Sequence, residues 1–348
     1  MNSSIKANVE GEIANQKFTD KLQLVLSKAG PLIALLVMII FLSIKTNSFL
    51  TVDNFINIIR QAASNSLVAI GMFLAILTGG IDLSVGATMA LSMVVMGLAI
   101  KAGFHPLICI LVCVTTGCLL GLLNGLALTK LKLPHPFIST MGTQNIYRGL
   151  CLILTLGTPI SGMPEAIKWM GSAHIGIIPV SLVFVLVIYA LFAMFLAHSP
   201  LGRRIYAVGG NRETARLAGV NVDFTLCAVY SLSGLMCGLA GLILAGRVDA
   251  VYPMAGVVWE SDAIAAVIIG GASFFGGRGT IAGTFTGVIL IAVLRNGLNL
   301  LRITPDWQTV VLGSVIILAV FLDVVRNGDF KRIKRVSAGA KKAEVAAT

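Results

Sequence analysis

Apolar blocks alternate with short polar or glycine-containing stretches along most of the chain. Each block approaches the ~20 residues that a helix needs to cross the hydrocarbon of a bilayer. Because no water is present there to satisfy backbone groups, such blocks must be helices. The predicted spans are residues 31–44, 64–78, 85–100, 106–128, 137–156, 177–197, 224–246, 259–275, 280–298 and 307–321. The pattern predicts an all-α integral membrane protein of about ten transmembrane helices, with an amphipathic stretch at 52–62 on the membrane surface.

The composition agrees with this fold class. Hydrophobic residues make up 57% of the 348 residues and charged residues 12%, against about 25% charged residues in a soluble domain. A soluble fold of this composition would lack the polar side chains to cover its surface. The formal net charge is +11, but the cations flank apolar blocks rather than forming one basic face. That distribution is typical of loops and tails at anionic headgroups and argues against a nucleic-acid partner.

Lysine and arginine concentrate in the C-terminal tail and in a polar loop after the sixth predicted span. Both segments are expected in the cytoplasm, and six preceding spans place the N-terminus there too. The predicted organisation is a cytoplasmic extension at 1–29, a transmembrane domain at 30–326 with its central loop at 198–223, and a basic cytoplasmic tail at 327–348. No cleavage site follows the first apolar block, which predicts an uncleaved anchor. Trp169, Trp259 and Trp307 fall on the outer side, whereas Arg295 and Arg302 fit less well because they flank a predicted outer loop.

Glycines recur at helical spacing within the predicted spans. Small residues four positions apart let helix backbones approach closely, so the pattern predicts tight packing of the bundle. The glycines concerned are Gly117, Gly121, Gly125, Gly234, Gly238, Gly283 and Gly287. A faint echo links residues 77–86, at the end of the second span, with residues 269–277, at the end of the eighth. It is either a repeat of the kind found in transporters or a coincidence in a glycine-rich chain.

Ionisable residues are almost absent from the middles of the predicted spans, where membrane enzymes and ion-coupled transporters place them. The four histidines lie at span ends or in loops, without metal-ligand spacing. The chain contains no HExxH, GxSxG or GxxxxGK[ST] motif, so catalysis or phosphate binding by those devices is not expected. The six cysteines lack CxxC spacing and are expected to be buried thiols. A polar but uncharged cargo passing between helices fits this pattern best.

A few polar residues remain as candidates within or near the spans. Asp82 and Ser84, at a helix break expected near the inner face, are predicted to cap the third helix or to brace a gate. Glu260 and Asp262 lie at the start of the eighth span, where the positive end of the helix dipole stabilises carboxylates. Three asparagines are compatible either with hydrogen bonds to a hydroxylated cargo or with bridges between helices: Asn65, Asn124 and Asn145.

The polar loop at 198–223 has more structure than a plain connector needs. Pro200 ends the sixth span, and Gly209, Gly210 and Asn211 are expected to form a turn. Residues 212–218 are then predicted to be a short helix capped by Asn211. From the residues alone, the segment is either a docking element for a soluble partner or a connection between two spans.

Several motifs, in the same order along the chain, resemble the permease subunits of bacterial ABC importers for ribose, xylose, arabinose and galactosides. They are GGIDLSVG at 79–86, GLLNG at 121–125, PFISTMGT at 136–143 with YRG at 147–149, the loop at 202–220, and DAIAAVIIGG at 262–271 followed by GGRGT at 276–280. The resemblance covers about residues 30–326. The sequence departs from the family pattern at His135 and in its long extension before Pro31.

The resemblance implies two permease subunits, identical or related, in the bacterial inner membrane. It also implies two cytoplasmic ATPase subunits that carry ATP and Mg²⁺, and a periplasmic or lipid-anchored sugar-binding protein. This chain would then hold no cofactor, and would import a monosaccharide by alternating access. Residues expected to couple to the ATPase are Gly202, Arg203, Tyr206, Ala207, Gly209, Gly210, Asn211, Ala215, Arg216 and Gly219. Those expected at the pathway or gate are Gly79, Gly80, Asp82, Ser84, Asn124, Phe137, Asp262, Gly270 and Gly271.

Other classes of function stay open beside the sugar permease. A sister permease for branched-chain amino acids or nucleosides would share the architecture. An ion-coupled secondary transporter would need a cation site in mid-membrane, and an intramembrane enzyme would need an acid/base constellation. Neither pattern is found in the sequence.

Overall fold

The computed structural model describes residues 31–133 and 135–326. The helices in these ranges are α1 (Pro31–Lys45), α2 (Val52–Leu77), α3 (Val85–Lys101), α4 (Pro106–Lys130), α5 (Pro136–Thr155), α6 (Glu165–Ser172), α7 (Val180–His198), α8 (Pro200–Gly210), α9 (Arg212–Leu217), α10 (Val222–Val248), α11 (Trp259–Ile269), α12 (Ile281–Leu300) and α13 (Pro305–Arg326). Two-residue strands are β1 (Ile160–Ser161), β2 (His174–Ile175), β3 (Ile178–Pro179) and β4 (Ala250–Val251). The predicted all-α fold class is confirmed. The extension at 1–29 and the tail at 327–348 lie outside the described residues.

The centre of the bundle is formed by α2 and α10. In their most apolar stretches 78% and 67% of residues are buried, against 22% in α4 and 33% in α7. Five helices of the described chain are long and apolar enough to cross a membrane: α2, α4, α7, α10 and α12. Shorter apolar helices are α1, α3 and residues Pro305–Phe321 of α13. This composition is that of a multi-pass membrane protein.

The expected surface stretch at 52–62 is wrong, because α2 continues through it without interruption from Val52 to Leu77. Thr51 caps the helix by accepting a hydrogen bond from the backbone N–H of Asn54. Asn54 at this end packs against α12, whereas Asp53 and Asn57 are exposed. Asn54 and Asn296 are both buried and exchange side-chain hydrogen bonds of 3.1 Å and 2.7 Å.

The eighth predicted span also differs, since α11 ends at Ile269 rather than at residue 275. Gly270 closes the helix, and Gly271 follows with a φ of +91°, a conformation that a residue with a Cβ rarely adopts. The chain then passes through residues 272–280 before Thr280 caps α12, accepting from the N–H of Gly283 at 3.0 Å.

The segment between the fifth and sixth predicted spans is folded. Strand β1 pairs antiparallel with β4, with Ile160 opposite Val251, and β2 pairs with β3 in a hairpin. Between them, α6 packs on the last turns of α10 and buries Ile167 completely. These elements form a cap over the end of the bundle at which α3 finishes, because Gly97 of α3 lies against Ile160 and Val251.

The predicted close approach of helices at glycines is confirmed between α4 and α10. A Cβ on Gly121 would collide with the carbonyl oxygen of Tyr230, and one on Gly234 with that of Gly117. A Cβ on Gly125 would lie 2.7 Å from the Cα of Cys227. Backbone contact of this kind brings van der Waals surfaces together where lipid supplies no hydrophobic driving force.

Replacing Gly121 with alanine is expected to destabilise the bundle by about 1–3 kcal/mol, the usual cost of overpacking. The added methyl group would force α4 away from the Tyr230 carbonyl. Thermal unfolding of the purified protein in detergent measures the effect as a lower melting temperature. Gly142→Ala on α5 is the matched control, because a Cβ there meets nothing within 4 Å. Equal melting temperatures for the two variants would contradict the packing argument.

Candidate functional site

The chain breaks its helical path between α2 and α3 and turns back into the bundle. After Leu77, the N–H groups of Gly79 and Gly80 bond to the carbonyls of Ile76 and Ala75, and Gly79 has a φ of +71°. The turn carries Asp82 to Ser233, near the middle of α10. Asp82 therefore lies deep in the bundle, not close to an end of the spans as expected.

Asp82 is 2% exposed and accepts three hydrogen bonds. Its Oδ1 accepts from the backbone N–H of Ser84 at 3.1 Å and from the Ser84 hydroxyl at 2.6 Å. Its Oδ2 accepts from the Ser233 hydroxyl at 3.0 Å. Neither residue makes a side-chain capping bond to the first turn of α3, so the predicted cap is wrong; Asp82 instead holds Ser84 before that turn and ties it to α10. A buried carboxylate without these donors would be costly.

The network extends from Asp82 to α4 and α5. The Ser84 hydroxyl accepts from Asn124 Nδ2 at 2.7 Å, and the Asn124 Oδ1 accepts from the Tyr147 hydroxyl at 3.3 Å. Tyr147 also reaches the carbonyl of Leu120 at 3.0 Å. One continuous set of hydrogen bonds thus joins the break to α4, α5 and α10.

The three asparagines take different positions. Asn124 is buried and bridges helices. Asn145 lies on the exposed side of α5, with its amide donating to the carbonyl of Met141 at 3.1 Å. The buried Oδ1 of Asn65 has no hydrogen-bond partner among the described residues. Of the two predicted roles, hydrogen bonds to a cargo or bridges between helices, the structure shows the bridge for Asn124.

A second polar cluster joins α5 to the segment between β4 and α11. Arg148 Nη1 donates to the carbonyls of Pro253 and Ala255 at 2.9 Å and 2.7 Å. The amide of Gln144 donates to the carboxylate of Glu260 at 3.3 Å. Arg148 lies within the fifth predicted span, so the expectation of spans almost bare of ionisable groups needs correction. The cation is tolerated there because it satisfies two carbonyls.

Asp262 and Arg295 form a buried ion pair between α11 and α12. The guanidinium donates through two nitrogens to the two carboxylate oxygens, at 2.8 Å and 2.7 Å. The Asp262 side chain is 2% exposed and that of Arg295 23%. Arg295 therefore does not flank an outer loop as predicted. Asp262 lies in the first turn of α11 as expected, with its carboxylate directed to Arg295.

The central loop folds into two helices, α8 and α9. Asn211 caps α9 as predicted, its Oδ1 accepting from the N–H of Thr214 at 2.9 Å. The turn expected at Gly209 and Gly210 is wrong, because both residues belong to α8. The Ser199 hydroxyl caps α8, with Pro200 in its first turn. Serine followed by proline is a helix-start signal, and the sequence reasoning took Pro200 only as a helix end.

The predicted coupling residues divide between an exposed and an inward face. Gly202 and Ala215 are buried, and Tyr206 and Gly209 are half-buried. Exposed members are Arg203, Ala207, Gly210, Asn211, Arg216 and Gly219. Sequence reasoning missed Leu217, which is 82% exposed at the end of α9. An apolar side chain on a short polar helix was the available signal.

Tyr206 connects α8 to the bundle. Its hydroxyl donates to the carbonyl of Gly279 at 3.0 Å. Burial raises the pKa of the Tyr206 phenol, so the hydroxyl keeps its proton and remains a donor at neutral pH.

The predicted pathway residues are mostly enclosed in this structure. Among them Gly80, Asp82, Ser84, Asn124 and Asp262 are buried, Gly79, Gly270 and Gly271 are half-buried, and Phe137 is 42% exposed. The structure joins Asp82, Ser84 and Asn124 in one network and places Asp262 in the ion pair. Their roles in a pathway stay predictions.

A hollow of about 590 Å³ lies where α2 begins, beside the β2–β3 hairpin. Its lining includes Asp53, Asn57, Arg60 and His174. Since α2 ends next to α8, this polar hollow lies at the opposite end of the bundle from α8.

The fold and the site define a multi-pass membrane protein with polar groups sealed inside the bundle and a folded helical loop at one end. Residues 54–320 match the family described as branched-chain amino acid transport system / permease component, and the chain belongs to this family. It is therefore a transport component rather than an enzyme, as the resemblance implied.

Curated relatives match over most of their length. The ribose import permease protein of Bacillus subtilis (strain 168) is 44% identical over 301 residues, covering 86% of this chain and 93% of the relative. The ribose import permease protein of Escherichia coli (strain K12) is 38% identical, with 84% and 92% covered. The D-allose transport system permease protein of the same strain is 39% identical, with 83% and 88% covered. No solved structure matches the chain.

Replacing Arg295 with methionine is expected to cost about 3–5 kcal/mol, because it leaves the Asp262 carboxylate buried without its partner. The variant should melt at a markedly lower temperature in detergent. Arg302→Met, at an exposed position just beyond α12, is the control and should melt like the unaltered protein. A second variant that also carries Asp262→Leu should recover much of the loss, since no unpaired charge remains. Equal melting of the Arg295 and Arg302 variants would contradict the assignment.

Proposed function

We propose that this chain is the transmembrane subunit of an ATP-driven importer that moves a monosaccharide across the bacterial inner membrane by alternating access. The observation that carries the proposal is the match to import permeases named for ribose and allose over more than four-fifths of both chains. Ribose and chemically similar pentoses and hexoses are the candidate substrates.

The charges inside the bundle support an uncharged substrate. Asp82 is surrounded by hydroxyl and N–H donors, and Asp262 is neutralised by Arg295. Neither carboxylate is left to bind a cation or a substrate ammonium group. The family description mentions branched-chain amino acids, but the relatives above are named for sugars, so we favour a sugar. An ion-coupled mechanism would need an available charged site within the bundle.

We place ten spans in the membrane, formed by α1–α5, α7 and α10–α13, with both termini in the cytoplasm. The connections support this arrangement: α2 ends and α12 begins close to α8, whereas α3 ends at the cap on the other side. The cations of the central loop, including Arg203, Arg204 and Arg216, lie at the α8 end. Under the positive-inside rule this end is cytoplasmic.

The partners follow from the same arrangement. The exposed face of α8 and α9 presents Arg203, Arg216 and the apolar Leu217, a combination suited to an acidic, partly apolar groove on an ATPase subunit. ATP and Mg²⁺ belong to two such subunits, and this chain holds no cofactor. A second permease, identical or related, completes the pathway. A periplasmic or lipid-anchored sugar-binding protein docks at the capped end, near the polar hollow lined by Arg60 and His174.

The pathway runs beside the two helix breaks, at residues 78–84 and 270–280. The glycines there, Gly79, Gly80, Gly270 and Gly271, leave backbone without side-chain bulk. With Asp82, Ser84, Asn124, Phe137 and Asp262 they form the gate that we propose.

Cells producing the chain with its ATPase and binding protein should accumulate labelled ribose, and cells lacking the gene should not. A panel of labelled pentoses, hexoses and leucine identifies the substrate. The double variant Arg203→Glu, Leu217→Asp should abolish uptake while inserting normally, because both changes oppose docking on an acidic, apolar groove.

The control for that variant is Lys101→Glu, which reverses an exposed charge at the capped end and should leave ATPase docking intact. Uptake of leucine without any sugar would favour the sister amino-acid permease. Sugar movement by the purified chain alone would refute ATP coupling.

The orientation predicts which cysteine variants a membrane-impermeant thiol reagent reaches. Ser172→Cys on α6 should react in cells whose outer membrane alone is permeabilised. Thr214→Cys on α9 should react only after the inner membrane is opened. Both positions are exposed, and the native cysteines are buried or half-buried, so their background is low. The reverse labelling pattern would invert the proposed topology.

A further inference from the structure

Three backbone segments meet without intervening side chains at the end of α8. We call them the glycine junction: residues 77–79 at the end of α2, Gly209 and Gly210 of α8, and residues 276–279 before α12. The N–H of Gly277 donates to the carbonyl of Leu77 at 2.9 Å. A Cβ on Gly209 would collide with the same carbonyl oxygen.

The second and third segments are equally close to each other. A Cβ on Gly277 would lie 2.9 Å from the Cα of Gly210, and one on Gly276 would lie 2.7 Å from the N of Gly79. The two segments with the faint sequence echo are thus in direct contact, and both rest on α8.

Two side chains of the central loop lock this arrangement. Tyr206 donates to the carbonyl of Gly279 at 3.0 Å, and Arg212 Nη2 donates to that of Thr78 at 3.2 Å. Each of the two bundle segments therefore receives one hydrogen bond from the central loop. Tyr206 and Arg212 are both half-buried, and both hydrogen bonds are directed inward to the bundle.

Residues 77–79 and residues 276–279 each connect directly to a buried polar interaction of the bundle. Residues 77–79 continue to Asp82 and its hydrogen bonds with Ser84 and Ser233. On the other side the junction connects through residues 270–275 to α11, which carries Asp262, and directly to α12, which carries Arg295. Close-packed backbone has little compressible space, so a displacement of α8 must move both segments.

The hydroxyl of Tyr230 lies against the first segment. It is buried without a hydrogen-bond partner among the described residues, and a Cβ on Gly80 would lie 2.8 Å from it. An unsatisfied buried donor is costly, so an arrangement of the Gly79–Gly80 turn that supplied an acceptor would be favoured.

We propose that the glycine junction is the route by which movement of α8 reaches both helix breaks, with Tyr206 and Arg212 as positioning residues. This inference rests on the proposed function, in which α8 follows the ATPase. The proposal assigns different roles to the two faces of α8 and α9. The exposed face binds the ATPase, and the inward face transmits the movement to the gate.

The test uses the complete transporter in proteoliposomes and measures sugar uptake and ATP hydrolysis together. Tyr206→Phe removes one hydrogen bond at the junction and keeps the ring. Tyr189→Phe is its matched control, because the Tyr189 hydroxyl also donates to a carbonyl at 3.0 Å, that of Ser66, but between α7 and α2. Tyr206→Phe should lower the sugar moved per ATP about fivefold, with ATP hydrolysis retained. Tyr189→Phe should keep the unaltered ratio.

A glycine pair tests the backbone contact itself. Gly276 and Gly103 have φ values of +91° and +80°, so alanine imposes a similar backbone strain at each. Only at Gly276 does the Cβ meet another segment, since at Gly103, between α3 and α4, nothing lies within 4 Å. Gly276→Ala should reduce the sugar moved per ATP, and Gly103→Ala should not.

A further measurement needs no sugar. A cysteine at Ile81, inside the first break, is labelled with a thiol reagent with and without ATP. ATP should change its labelling rate in the unaltered background, and Gly276→Ala should remove that change. If the unaltered complex moves no sugar, the proposed function fails. The labelling rate at residue 81 still shows whether the glycine junction transmits movement of α8.

Three results would overturn the proposal. Unchanged ratios and labelling in Tyr206→Phe and Gly276→Ala would show that movement takes another route. Equal losses in the Tyr189 and Gly103 controls would show a general effect on folding. Joint loss of ATP hydrolysis and uptake would assign the junction to docking.

Discussion

Backbone-to-backbone contact at glycine sets the geometry on which the other features depend. In a lipid environment apolar side chains gain little by leaving the solvent, so helices associate through close packing and internal hydrogen bonds. Gly121 and Gly234 bring α4 onto α10, and this fixes Asn124 and Ser233 on opposite sides of the break that carries Asp82. Were these helices further apart, the break could not bond to both, through Ser84 to Asn124 and through Asp82 to Ser233.

The same scarcity of water explains why the carboxylates of Asp82 and Asp262 are fully partnered. Asp82 receives three donors and Asp262 receives a bidentate guanidinium. These bonds cannot be exchanged for water at low cost, so each group holds its neighbours in one arrangement until a competing partner arrives. Bonds of this kind favour discrete arrangements over a continuum, which the alternating access proposed above would require.

The sequence predicted the helices whose hydrophobic blocks are uninterrupted, such as α4, expected at 106–128 and observed at Pro106–Lys130. The sequence-based prediction failed where the environment of a residue is set by a partner far away in sequence. The amphipathic start of α2 looks like a surface helix until Asn54 meets Asn296, a residue 242 positions away. Likewise Arg295 looked misplaced because its partner Asp262 lies on another helix. Local hydropathy contains no information about such pairings.

The candidate site shows the same division. The contact of Asp82 with Ser84 and the cap at Asn211 were predictable because each joins residues within three positions of one another. The bond from Ser233 to Asp82 was not, because 151 positions separate the two residues. The inward role of Gly209 was not, since only the fold brings the Leu77 carbonyl against it.

The contact between Gly209 and the Leu77 carbonyl changes how the glycines of the central loop are interpreted. A glycine-rich loop in isolation indicates freedom to bend, whereas here Gly209 and Gly277 allow three backbones to touch. Glycine at these positions therefore makes the attachment of α8 to the bundle tighter, because any side chain would separate the segments. A stiff attachment is the physical condition for an external motor to move residues inside the membrane, and a flexible one would dissipate the movement in the loop.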